Sequence, residues 1–196
     1  MLLHDRLKGY NLILASASPR RRELLAACDI DFTLAERFEC EEQYPADLEA
    51  EKVAEYLSQL KSNAYPTPLA ERDILLTADT VVISGEKILG KPHSEEEARE
   101  MISMLSGATH KVVTGVTLRT VERTVSFSAE SLVSFRTLDA EEIEYYVANY
   151  RPMDKAGAYG IQEWIGYIGI EGIEGSFYNV MGLPVQRLYS SLKELI

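Results

Sequence analysis

Five groups of residues carry side chains suited to chemistry on phosphates. In Ser16-Ala17-Ser18-Pro19-Arg20-Arg21-Arg22, small hydroxyl residues follow an apolar run, and a proline and three arginines open an amphipathic stretch. Proline suits a first helical turn, because its missing N–H would have no intrahelical partner there. Free N–H groups, the positive end of the helix dipole and several guanidinium groups then lie close together, which attracts an oxyanion such as phosphate. A capped surface helix with solvated arginines has the same spacing. Thr77-Ala78-Asp79-Thr80 comes next, after the apolar run Ile74–Ala78. Open α/β sheets place catalytic carboxylates at strand ends, although Asp also serves as a turn former.

Gly90-Lys91-Pro92 presents Lys91 on a tight bend, either solvated or reaching a phosphate. The acidic run Glu39, Glu41 and Glu42 is a solvated face or a source of carboxylates for Mg²⁺, which is commonly held by one or two carboxylates plus phosphate oxygens. Asp154-Lys155-Ala156-Gly157-Ala158-Tyr159-Gly160-Ile161-Gln162 combines small residues that allow close backbone approach with an amide, Gln162, that can read a nucleobase edge. The same pattern suits a glycine-rich loop closing over a core. Arginines at a helix start, acids for a metal, an aspartate at a strand end and loop lysines together fit phosphate-ester or phosphoanhydride chemistry. A P-loop enzyme is excluded by the absence of Gly-x-x-x-x-Gly-Lys-Ser/Thr. The absence of Gly-x-Ser-x-Gly, with only His4, His93 and His110 as candidate bases, argues against a serine hydrolase.

The elements that must position these groups follow from periodicity. Tyr10–Ala15 reads as a buried strand, Arg20–Cys28 as a helix and Phe32–Ala35 as a short strand. Val53, Tyr56, Leu57 and Leu60 lie at helical spacing within Asp47–Ala64, and Pro66 and Pro68 end that helix. Ile74–Ala78 is a second buried strand, and Val81–Ile83 and Lys87–Leu89 flank a hairpin turn at Ser84-Gly85-Glu86. Ser94 and Glu97 form a capping box for a helix running to Ser106, with Gly107 as its stop. Lys111–Thr120 and Val125–Thr137 are expected to pair as strands. Asp139 and Glu142 start a helix reaching Tyr150, Gly157–Gly175 reads as irregular, and Leu183–Leu195 is a last helix. The expectation is an α/β fold with a mixed sheet and no composition break that forces a domain boundary.

Composition limits the partners. The chain has 196 residues, 46% of them hydrophobic and 26% charged, in the range of ordinary globular proteins. A formal net charge of −11 argues against non-specific binding to nucleic acid or to an anionic membrane. It also makes the arginine cluster a local positive focus. No stretch approaches the roughly 20 apolar residues that span a bilayer, and Met1–Tyr10 lacks the apolar core of a signal peptide. Cys28 and Cys40 have no metal-ligand spacing, which suggests reduced thiols in the cytoplasm.

The motifs, in order, resemble those of the Maf family of nucleotide pyrophosphatases. Ser16-Ala17-Ser18-Pro19-Arg20-Arg21, Ala78-Asp79-Thr80, Gly90-Lys91-Pro92 and Leu105-Ser106-Gly107 with His110 match the family pattern. So do Thr114-Gly115-Val116, Asp154–Gln162 and Gly175–Pro184, and the resemblance covers about Leu12 to Leu188. It implies one domain over 1–196, with an elongated, bent mixed sheet and two lobes around a cleft, like the inosine triphosphate pyrophosphatases. The implied activity is cleavage of a nucleoside triphosphate to the monophosphate and pyrophosphate in the cytoplasm, with a divalent cation, Mg²⁺ or Mn²⁺, as cofactor. Asp79 matches the catalytic acid. Ser16, Arg21, Lys61 and Lys91 match positions around the phosphates, and Glu42 with Asp79 the metal positions. Arg20, Thr80 and Gln162 match the branch acting on dTTP and UTP, with modified pyrimidine triphosphates as further candidates and a housecleaning role. Homodimers are common in the family. The alternatives are the branch acting on 7-methyl-GTP and a nucleotide-binding regulator of cell division.

Overall fold

The computed structural model describes residues 1–196. Its elements run α1 (Leu3–Leu7), β1 (Asn11–Leu14), α2 (Pro19–Ala26), β2 (Thr33–Leu34), α3 (Ala50–Ala64), β3 (Asp73–Ser84), β4 (Lys87–Leu89), α4 (Glu95–Leu105), β5 (Thr109–Arg119), β6 (Thr124–Phe135) and α5 (Ala140–Tyr150). A 3₁₀ turn (Ala156–Ala158), α6 (Trp164–Gly169), β7 (Ile170–Glu174), α7 (Phe177–Met181) and α8 (Val185–Leu195) follow. The strands form one seven-stranded mixed sheet in the order β2-β1-β3-β5-β6-β7, with β4 hydrogen-bonded to β3. The expected α/β class with a mixed sheet is what the chain adopts.

The residues gather into two compact units. One comprises Met1–Asp79, Thr114–Ala129 and Gly182–Ile196, the other Thr80–Val113 and Glu130–Met181. β3, β5 and β6 each contribute to both, so no linker or composition shift marks the division.

In the first unit, β1 pairs in parallel with β2 on one side and with β3 on the other, through Asn11↔Asp73 to Leu14↔Leu76. The run Leu12–Leu14 is buried on both faces, as a parallel strand requires. α3 is fixed to the sheet at three points. Thr77 Oγ1 donates to Ser58 O at 2.7 Å, and Ser58 Oγ lies 2.8 Å from Thr117 Oγ1. The third is Gly115, where a Cβ would stand 2.2 Å from the carbonyl carbon and oxygen of Ala54, so only glycine lets the helix backbone come this close. α1 docks on α8, with Leu3 N donating to Tyr189 Oη at 3.3 Å.

In the second unit, α4 and α5 pack around one apolar cluster with Leu89, Phe135 and Tyr159, burying Ala98, Met101, Ile102 and Leu105 from α4 and Ile143, Tyr146 and Val147 from α5. Both helix starts are capped. Ser94 Oγ accepts from Glu97 N at 3.1 Å, while Glu97 reaches back to His93 N rather than to Ser94 N. The Ser94 capping box is therefore half formed. Glu142 accepts from Asp139 N at 2.9 Å. His110 is buried against Phe135 and Tyr159, and its Nε2 lies 2.7 Å from Tyr159 Oη.

Several boundaries differ from the sequence expectation. Asp79 does not end a strand: β3 continues through Thr80 to Ser84, carried by β-branched residues that pair with β4 from Val82↔Leu89 to Ser84↔Lys87. What ends before Asp79 is pairing with β1, whose last partner is Leu76. Gly157–Gly175, expected to be irregular, contains α6 and β7. The glycines disguise a short helix in which a Cβ at Gly166 would meet Ile161 O at 1.9 Å. α3 begins at Ala50 rather than Asp47, because Asp47 lies in the turn closed by Leu48 N to Pro45 O.

Candidate functional site

Asp79 and Thr77 lie two residues apart on β3 and face α3, where Ser58 and Lys61 stand one turn apart. The Thr77–Ser58 hydrogen bond therefore sets the height at which Lys61 meets Asp79. Lys61 Nζ makes a short ion-paired hydrogen bond to Asp79 Oδ1 and lies 3.1 Å from Glu42 Oε1. The Asp79 and Lys61 side chains are 13% and 17% exposed, whereas Glu42, on the loop before α3, is 47% exposed. One ammonium thus bridges two carboxylates within the first unit. Cys40 lies within electrostatic reach of Lys61, Glu42 and Asp79, and partial burial raises its thiol pKa.

The Ser16–Arg22 loop meets the same group from β1. Ala15 N donates to Leu76 O at 2.9 Å, and Pro19 opens α2 as expected. Ser18 occupies the cap position without a side-chain cap bond, and instead Ser16 Oγ accepts from Ser18 N at 3.2 Å. Arg21 Nη1 donates to Ser16 Oγ at 3.2 Å and to Ala78 O at 2.9 Å, and Arg21 Nε donates to Gly182 O at 2.8 Å. The guanidinium therefore joins three chain segments, one of them through Ala78, the residue preceding Asp79. Burial lowers the Arg21 pKa, opposed by the negative charge of Asp79. Arg20 stands beside it in the first turn, half-buried.

Ser16, Arg21, Glu42, Lys61 and Asp79 are thus brought together in the first unit, with Arg20 in the same loop. Thr80, Lys91 and Gln162 belong to the second. Lys91 is exposed and, with Lys87, His93, Glu97 and Met101, lines a cavity of about 200 Å³. Gln162 presents a buried Oε1 with no hydrogen-bond partner, an acceptor left unsatisfied within the protein. The loop carrying Gln162 is joined to the loop carrying Lys91 by Gly157 N donating to Gly90 O at 3.0 Å. Gly157 and Ala158 both have positive φ, 67° and 58°, which suits a glycine followed by the smallest chiral side chain. Sequence reasoning had no signal for the Arg21 bond to Gly182, which joins residues 161 positions apart.

Residues 11–195 match the family described as Maf-like protein. The chain belongs to the Maf family. Among relatives of this Maf protein, one from Bacteroides thetaiotaomicron is 52% identical over 189 residues, covering 96% of this chain and 98% of its own length, and is named dTTP/UTP pyrophosphatase. A relative from Porphyromonas gingivalis with the same name is 54% identical over 192 residues, 97% of this chain and 96% of its own. A third, from Flavobacterium johnsoniae and also so named, is 43% identical across both full lengths. A solved structure described as a nucleoside-triphosphatase / dITP/XTP pyrophosphatase from Mycobacterium abscessus matches 95% of this chain at 14% identity and a TM-score of 0.44, too loose a likeness to carry an argument. No helix of this Maf protein is long and apolar enough to cross a membrane.

Proposed function

We propose that this Maf protein, acting as one domain over residues 1–196, hydrolyses dTTP and UTP to the monophosphate and pyrophosphate. The observation that carries the reading is the Lys61 ammonium held between Asp79 and Glu42, beside an arginine loop, in a chain about half identical to relatives named for that activity. Water attacks the α-phosphorus, the bond from that phosphorus to the α–β bridging oxygen breaks, and pyrophosphate leaves with the electron pair. Asp79 is the base that accepts the water's proton, oriented by its contact with Lys61. Ser16, Arg21, Lys61 and Lys91 act on the phosphates. Arg21 does so mainly through its charge, since Nε and Nη1 already bond to Gly182 O, Ala78 O and Ser16 Oγ.

The donor set fits a hard divalent cation. Two carboxylates converge on one point of positive charge, and no group of three or more His, Cys, Asp or Glu side chains is arranged to hold a metal ion by itself. That suits Mg²⁺ or Mn²⁺ completing its shell from water and phosphate oxygens rather than an all-protein cage. Glu42 and Asp79 would hold such an ion, which when bound supplies charge neutralisation on the phosphate oxygens.

Arg20, Thr80 and Gln162 select the nucleotide. The unpaired Gln162 Oε1 is matched to the N3–H of thymine or uracil, and the amide NH₂ to O4. The same reading carries a housecleaning role toward modified pyrimidine triphosphates in the cytoplasm. It also carries a homodimer, checked by light scattering. A panel of triphosphates with pyrophosphate detection tests the function. Turnover of dTTP and UTP is expected. Turnover of 7-methyl-GTP instead would move the chain to the purine-directed branch, and binding without turnover would make it a regulator.

A further inference from the structure

In the second unit, the segment that carries Gln162 is gripped by a buried ionic network that the reaction itself does not use. Lys155 is only 7% exposed, and its Nζ lies 2.7 Å from Asp154 Oδ1 and 3.0 Å from Glu163 Oε1. The other oxygen of Glu163 accepts a short hydrogen bond from Tyr146 Oη, and that same Oη accepts from Gly160 N at 3.0 Å. Burial and the neighbouring carboxylate push the Tyr146 hydroxyl far above its ordinary pKa, so it stays a neutral donor toward Glu163. The space inside is closed. A Cβ on Gly160 would stand 2.8 Å from the Glu163 carboxyl carbon and 3.0 Å from Lys155 Cε.

Ammonium, carboxylate and phenol thus tie together the main chain from Lys155 to Glu163, and Gln162 is the residue between the two fixed points Gly160 and Glu163. Glu163 N also donates to Gly160 O at 3.0 Å, turning the chain so that α6 starts directly after Glu163. An ion pair this buried is an inefficient way to add stability, since well-packed apolar residues do as well, and the best-attested use of such groups is to fix one arrangement. Two rotatable bonds separate the Gln162 Cβ from its amide, so a small rotation of its backbone sweeps the buried, unpartnered Oε1 away from its target.

We propose that Lys155, Glu163 and Tyr146 form a positioning network that fixes the Gln162 amide and thereby sets the preference for thymine and uracil over cytosine. The inference rests on the reading of Gln162 as the base-contacting residue. Thymine and uracil offer an N3–H donor to Oε1, whereas cytosine offers an acceptor there, so discrimination depends on Oε1 being held in place with no freedom to turn its NH₂ inward.

The test compares kcat/KM for dTTP and for dCTP in the wild type, Tyr146→Phe, Glu163→Gln and Gln162→Ala. Tyr146→Phe removes one hydroxyl and Glu163→Gln keeps the volume, so one remains informative if the other fails to fold. The dTTP/dCTP ratio is expected to fall about tenfold or more in either network variant, through a higher KM for dTTP with kcat retained. A merely structural role lowers the melting temperature and the active fraction, which scales both nucleotides alike and leaves the ratio unchanged. An unchanged ratio in the folded network variants, with a lowered ratio in Gln162→Ala, overturns the network alone. An unchanged ratio in Gln162→Ala, or a wild type with no preference for dTTP, overturns the base-reading assignment and the network with it.

Discussion

Acid should destabilise this protein through one histidine, by an amount that can be worked out from its surroundings. His110 is 2% exposed, stacks on Phe135 and contacts Tyr159 Oη through Nε2 at 2.7 Å, while Nδ1 is buried with no partner. Whichever ring nitrogen carries the proton, the imidazolium would place a charge and an unpaired N–H in an apolar layer. Burial accordingly lowers its pKa from 6.5 to about 4. Because the folded value lies below the unfolded one, the unfolded chain binds the proton more tightly between them. The stability that depends on neutral His110 is complete above pH 6.5, declines as pH falls through that value, and stops declining below about pH 4. Between pH 7 and pH 5 the linkage amounts to about 2 kcal/mol, a large part of a typical 5–15 kcal/mol folding free energy.

The perturbation is the double substitution His110→Phe with Tyr159→Phe, which removes both hydrogen-bonding partners and avoids stranding one of them in the core. Urea unfolding at pH 7 and pH 5 is the assay. The wild type should lose about 2 kcal/mol more than the double variant over this interval. Equal losses in the two proteins would refute the reasoning, since carboxylates and the other histidines are common to both.

Three further outcomes are expected. Asp79→Asn should lower dTTP turnover by about 10²–10⁴-fold with an unchanged circular dichroism spectrum, the range for loss of a general base. Gly115→Ala should lower stability by about 1–3 kcal/mol or more, because a Cβ there meets the backbone of Ala54 at 2.2 Å. It should also lower kcat by displacing Lys61 on α3, as thermal melts and steady-state rates would reveal. Chelation should abolish turnover and added Mg²⁺ restore it. In Glu42→Gln the Mg²⁺ concentration for half-maximal rate should rise about tenfold, the lower end for weakening a metal site.

The sequence alone determined the local parts of this protein. Apolar runs and capping residues placed β1, α4, α5 and the strand pair β5 and β6 to within a few residues, because those signals act over one or two turns of chain. Serine, arginine, aspartate and lysine in their motifs made phosphate chemistry the expectation, because side-chain type is a property of the residue itself. Asp79 shows the limit. It reads as a turn or a strand end, but the pairing of Val82–Ser84 with β4 carries the strand straight through it. Gly166 likewise concealed α6, since a glycine required by close contact looks the same in sequence as a glycine in a loop, and Gly172 lies in β7 with open space where a side chain would be.

Only the tertiary structure decided which charges meet. Lys61 and Asp79 are 18 residues apart and come together because Thr77 and Gly115 fix the height and closeness of α3. Arg21 looked free for a phosphate, yet its Nε and Nη1 bond to main-chain carbonyls near Asp79 and to Ser16, because Gly182, far away in the chain, folds back beside it. Lys155, a loop lysine in sequence, is buried between two carboxylates. Partnership depends on distances that packing sets across the whole fold, and sequence spacing carries no record of them.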